Sequence, residues 1–109
     1  MGRMALTPEV LVLVAERFKV LAEPARLQIL HVLRAGELTV SGLVEETELG
    51  QANVSKHLQL LYAMGFVGRR KEGLFVYYCL TDKSVFDLCN LMCGRLETEM
   101  KARRKVLVG

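Results

Sequence analysis

A chain of 109 residues can hold one compact domain and is too short for two with separate cores. Hydrophobic residues make up 51% and charged residues 25%, with Gly 9 and Pro 2, which excludes disordered, collagen-like and low-complexity classes. The net charge of +3 is unevenly spread: residues 1–48 hold five Lys/Arg against seven Asp/Glu, whereas residues 49–80 hold Lys56, Arg69, Arg70 and Lys71 against Glu72 alone. A basic segment is what a polyanion-binding surface needs, although a solvated charged face looks similar until a motif supports it.

The apolar run from Val10 to Ala15 is bracketed by Glu9, Glu16 and Arg17. It is far shorter than the roughly 20 residues of a spanning helix and is followed by no small-residue cleavage site. No membrane segment is expected, and the expected location is cytoplasmic. Thr7-Pro8-Glu9 reads as a helix start, and Val10, Leu11, Val14, Phe18 and Leu21 recur at helical spacing, predicting a helix from about Pro8 to Leu21. Pro24 opens a second helix with Ala25, Leu27, Leu30 and Leu33 inward and Ile29 widening that face, and Gly36 stops it. Leu38 lies in a short extended stretch, and Thr39 caps a third helix from Val40 to about Thr47, with Val40, Leu43 and Val44 inward.

Glu48-Leu49-Gly50 is a turn. A fourth helix from about Gln51 to Met64 buries Val54, Leu58, Leu61 and His57 and ends at Gly65. Val67 to Lys71 and Leu74 to Leu80 alternate like strands and are joined at Glu72-Gly73, a two-residue hairpin signal. Thr81-Asp82 caps a last helix from about Lys83 to Val106.

Two short helices joined by a tight turn are the unit that places a recognition helix in the major groove. Here the second of them opens with Gln51, Asn53, Ser55, Lys56 and Gln59, side chains of the types that hydrogen-bond base edges and phosphates. Arg69, Arg70 and Lys71 follow on the hairpin, where arginine can enter a minor groove or pair with phosphate. The fold class read from this order is mainly α with a small β-hairpin wing, a single winged helix-turn-helix domain over residues 1–109, and the expected partner is double-stranded DNA.

Three blocks also carry a family resemblance. Leu21-Ala22-Glu23-Pro24-Ala25-Arg26-Leu27-Gln28-Ile29-Leu30 resembles the opening of ArsR/SmtB transcriptional repressors. Gln51 to Leu58 with Leu60-Leu61 and Gly65-Phe66-Val67 resembles their recognition helix, and Arg69 to Gly73 with Val76-Tyr77-Tyr78 and Leu80-Thr81-Asp82 resembles their wing. The resemblance implies a homodimer, joined through first and last helices, that leaves its operator when an effector binds. The residues agree with such a seam: Val85, Cys89, Met92, Leu96 and Met100 form a stripe on the last helix, widened by Phe86, Leu88 and Cys93.

Three cysteines, Cys79, Cys89 and Cys93, argue against a disulfide framework. Two metal sites that the resemblance implies are not matched. Glu37-Leu38-Thr39-Val40-Ser41 has no thiol, and the last helix offers Asp82 and Ser84, then Arg95 and Thr98, of which arginine cannot ligate zinc. Cys89 and Cys93 stand four apart on one helix face, about 6 Å between Cα atoms, which suits a bridging atom better than a direct disulfide. Three readings of the pair stay open: packing, a reactive-sulfur or redox sensor, or a site for a metal or metalloid ion, with Cys79 as a third thiol if the fold brings it near. The alternative function is a small thiol-based metal carrier without DNA binding, which would need a denser ligand cluster. No nucleophile triad, carboxylate pair or phosphate loop marks an enzyme.

Overall fold

The computed structural model describes residues 4–108. The Thr7 hydroxyl accepts from the Val10 amide at 3.3 Å, and Pro8 takes the first position of helix α1 (Pro8–Leu21). Only Val20 of α1 is buried, while Leu11, Val12, Leu13, Val14 and Phe18 face solvent. Helix α2 (Pro24–Val32) runs into a 3-10 turn, Leu33–Ala35, before Gly36.

The inner face of α2 is rotated from the sequence expectation. Ile29, Leu30 and Leu33 are buried, but Leu27 is 37% exposed. Arg26 takes the place next to them at three- and four-residue spacing, half-buried and hydrogen-bonded, so the helix turns Leu27 outward.

Leu38 pairs with Tyr78 as an antiparallel bridge. The Thr39 hydroxyl then caps helix α3 (Val40–Thr47) by accepting from the Gly42 amide at 3.1 Å. Glu48 ends it in the left-handed region at φ 60°, and helix α4 (Gln51–Ala63) starts after Gly50. Strands β1 (Val67–Glu72) and β2 (Phe75–Leu80) pair antiparallel with Glu72 opposite Phe75. The two-residue loop is therefore Gly73-Leu74, one position later than expected. Gly73 has φ 61° and Leu74 does not share a positive φ, the pattern of a type II′ turn that favours glycine first.

Helix α5 (Val85–Val108) begins two residues later than expected. The Asp82 carboxylate takes the Ser84 amide at 2.8 Å in a local turn, which holds Asp82 below the usual carboxylate range. Thr81 does not cap the helix, because its hydroxyl donates to the Gly65 carbonyl at 2.6 Å and ties the end of β2 to the exit of α4.

Leu43 from α3, Val54, Leu58 and Leu61 from α4, and Ile29 from α2 are fully buried, with Leu30, Leu33, Val67, Val85 and Phe86 around them. The α3–α4 pair thus sits directly on the core with the hairpin beside it. Helix α5 joins this core only at its start: every residue from Asn90 to Val106 is exposed.

Candidate nucleic-acid interface

The burial of Val54, Leu58 and Leu61 fixes the rotation of α4 about its axis. Gln51, Asn53, Lys56 and Gln59 are consequently exposed, and Ser55 is half-buried at the edge of the row. Amides, a hydroxyl and one ammonium group are arranged along a single helix that enters from a tight turn. Gly50 makes no side-chain cap, which leaves the positive end of α4 free of a competing acceptor from that residue.

Three side chains that sequence patterning did not single out hold this helix in place. The Thr47 hydroxyl, buried at the end of α3, donates to the Leu43 carbonyl at 2.6 Å and accepts from the Leu49 amide at 3.3 Å, pinning the turn. The Gln28 amide donates to the Thr47 carbonyl at 3.3 Å, linking α2 to the same turn. Arg26 donates from Nε to the Val20 carbonyl at 2.6 Å and from Nη1 to Nδ1 of His57 at 3.1 Å, joining α1, α2 and α4.

His57 is half-buried in this arrangement rather than a core residue. To accept from Arg26 its ring must offer a lone pair at Nδ1, so the neutral form is the one that fits. Burial, and then the Arg26 charge, lower its pKa from the ordinary histidine value, with Lys56 acting the same way and Glu23 opposing. The unfolded chain therefore binds this proton more readily than the folded one, and stability falls as pH drops below about 6.5. We expect the urea midpoint to decline between pH 7 and pH 5.5, and less steeply for His57→Gln. Equal declines in the two proteins would remove His57 from the account.

On the hairpin, Arg69 lies over the Tyr62 ring of α4 with 4.1 Å to the centroid, which fastens β1 to that helix. Lys71 is exposed near the tip. Arg70 is turned away from both and is engaged by Glu37 and Glu72.

Comparison with known proteins adds to this geometry. The family model for bacterial regulatory proteins of the arsR family matches residues 23–68, from the start of α2 into β1. A probable mercury resistance operon repressor of Streptomyces lividans is 38% identical over 71% of this chain, and the match spans 62% of that repressor. An uncharacterized HTH-type transcriptional regulator of Methanocaldococcus jannaschii is 35% identical over 72% of this chain and 89% of its own length. The chain belongs to the ArsR family. A solved homodimeric winged helix-turn-helix DNA-binding domain from Mycobacterium bovis, described as a possible ArsR-family regulator, superposes with a TM-score of 0.75 at 31% identity, covering 93% of this chain and 94% of that one. The fold is thus the winged helix-turn-helix of ArsR-family regulators, a family of DNA-binding transcriptional regulators and not of enzymes.

Within this ArsR-family fold the three cysteines are each placed differently. Cys89 is half-buried and packs against the core, while Cys93, one turn on, is exposed. Cys79 lies on β2 opposite Gly68, on the strand face that alternates with the core-packed Tyr78 and Leu80. Among the described residues no three His, Cys, Asp or Glu side chains gather closely enough to hold a metal ion, so the three thiols form no joint site within one chain. No helix among the described residues is long and apolar enough to cross a membrane.

Proposed function

We propose that residues 1–109 act as one winged helix-turn-helix unit, a transcriptional repressor that binds operator DNA as a symmetric homodimer and leaves it when an effector reaches Cys89 and Cys93. The observation that carries the DNA-binding reading is the exposed row Gln51, Asn53, Lys56 and Gln59 on α4, beside a hairpin bearing Arg69 and Lys71. Lys56 and Lys71 supply charge for phosphates, Gln51, Asn53 and Gln59 supply donors and acceptors for base edges, and Ser55 serves either. Arg69 adds positive charge where the hairpin meets α4.

The dimer is supported by surface chemistry. Leu11, Val12, Leu13 and Phe18 on α1 and Leu88, Leu91, Met92, Leu96 and Met100 on α5 are all more than 40% exposed in the single chain. Apolar surface of that extent needs a partner, and the Mycobacterium bovis neighbour is described as homodimeric. Effector sensing is supported by the thiol pair at one-turn spacing on α5, next to those apolar residues. A two-thiol bridge suits a metalloid, a soft metal ion that two thiolates satisfy, or a chain of extra sulfur atoms, whereas a tetrahedral ion such as zinc needs more ligands than one chain brings together. The mercury resistance repressor among the relatives is in keeping with a thiophilic effector.

Selection of binding sites from random duplexes, followed by footprinting, tests the DNA-binding reading. The expected product is an inverted repeat with half-sites about one helical turn (~34 Å) apart. Lys56→Ala should weaken binding to all sequences and reduce the salt slope by about one, whereas Asn53→Ala should change the preferred base at one position of each half-site. Binding that ignores sequence, or a selected site without twofold symmetry, would refute the reading.

A further inference from the structure

The hairpin carries two adjacent arginines that the fold uses differently. Leu38 and Tyr78 exchange backbone hydrogen bonds at 3.1 and 2.8 Å, so the segment leading into α3 forms a third edge beside β2. Side chains alternate between faces along a strand, and directly opposite residues share one. Leu38 and Tyr78 pack against the core, which sends Glu37, Tyr77 and Arg70 to the outer face.

There the Arg70 guanidinium lies 4.7 Å from the centroid of the Tyr77 ring and spans the sheet to Glu37. Its Nε donates to both Glu37 carboxylate oxygens at 3.2 and 3.0 Å, and its Nη2 donates to Oε1 of the same group. Its Nη1 donates to Glu72 at 2.6 Å. The Arg70 hydrogen bonds hold the Glu37 carboxyl below the usual carboxylate range, so the contact outlasts the pH at which a free carboxylate takes up its proton. One cation between two carboxylates leaves this spot with net negative charge, which repels a phosphate. For Arg70 to pair with DNA it would have to leave both acids and the Tyr77 face.

We propose that Arg70 is a positioning residue that clasps the wing to the segment entering α3, setting where Arg69 and Lys71 stand relative to α4, and that it does not itself pair with phosphate. The effect on operator binding rests on the DNA-binding reading above, while the clasp can be tested without DNA.

Operator affinity, its salt slope and amide exchange of the DNA-free protein are measured together, for Arg70→Gln in the wild-type protein and for the charge-reversed variants in a Glu72→Gln background, chosen so that an acid at position 70 meets no like charge. Arg70→Gln is expected to weaken binding about threefold to fivefold with the salt slope unchanged, and to speed exchange of the Leu38 and Tyr78 amides. Glu37→Arg and Arg70→Glu should each do the same alone, and the two combined should restore both readouts. A salt slope lowered by about one, with exchange unaltered and no restoration in the combined variant, would make Arg70 a phosphate ligand and overturn the proposal. If the parent protein bound no DNA, the DNA-binding reading would fall, and unaltered exchange in Arg70→Gln would separately dismiss the clasp.

Discussion

Leu96→Glu is expected to turn a micromolar dimer into a monomer and to remove tight operator binding with it. Leu96 is 53% exposed in the single chain, on the stretch of α5 that no other element of its own chain covers. The substitution should therefore leave the monomer folded, with an unchanged helical signal in circular dichroism. In a symmetric seam it places an unpaired carboxylate in apolar surroundings twice, at about 3 kcal/mol or more each. Together these weaken association by more than about ten-thousandfold. A monomer engages one half-site, so the gain from linking two recognition helices is lost. Sedimentation of wild type and variant at matched concentration decides the matter. A variant that sediments as a dimer, or a wild type that sediments as a monomer, would displace the seam from this face.

The second large effect expected is loss of effector response when either α5 thiol is removed. Arsenite condenses with two thiols, forming two As–S bonds and releasing two waters, so both sulfurs are needed and no electrons are exchanged. Cys89 and Cys93 lie one turn apart, close enough for such a bridge without unwinding the helix. Cys89 also touches the core while Cys93 is exposed, so a bridge between them would pull on the point where α5 leaves the domain. A change there alters the spacing of two recognition helices, and a DNA-bound dimer tolerates little of it. Arsenite, zinc and polysulfide are tested in turn against the operator complex. At least one should release the wild type and Cys79→Ser protein while leaving Cys89→Ser and Cys93→Ser bound. Equal release of all four proteins would reduce the pair to packing.

The residues of the candidate site differ in how far sequence alone exposed them. Gln51, Asn53, Lys56 and Gln59 were legible because Val54, Leu58 and Leu61 set a strong helical period, and a helix with one buried face must expose the other. The order of helices, the capping residues Thr7 and Thr39, and the hairpin were legible for the same kind of reason. Each depends on residues within a few positions of one another, where backbone geometry and side-chain spacing leave few choices.

Sequence by itself thus determined the element order, the helix-turn-helix with its polar row, and the family to which the chain belongs. Tertiary structure alone decided which charges are free to act. Arg70 is 33 positions from Glu37, Arg26 is 31 from His57, and Gln28 is 19 from Thr47. Strand alternation puts Glu72 on the face of Arg70, but nothing in local periodicity says that Glu37 will reach that arginine while its neighbour Arg69 meets a tyrosine ring. Leu27 likewise yielded its inward place to Arg26 because a carbonyl of α1 and a ring nitrogen of α4 converge there. Such pairings arise only when distant segments pack, since a long polar side chain takes the partner that folding brings within hydrogen-bond reach.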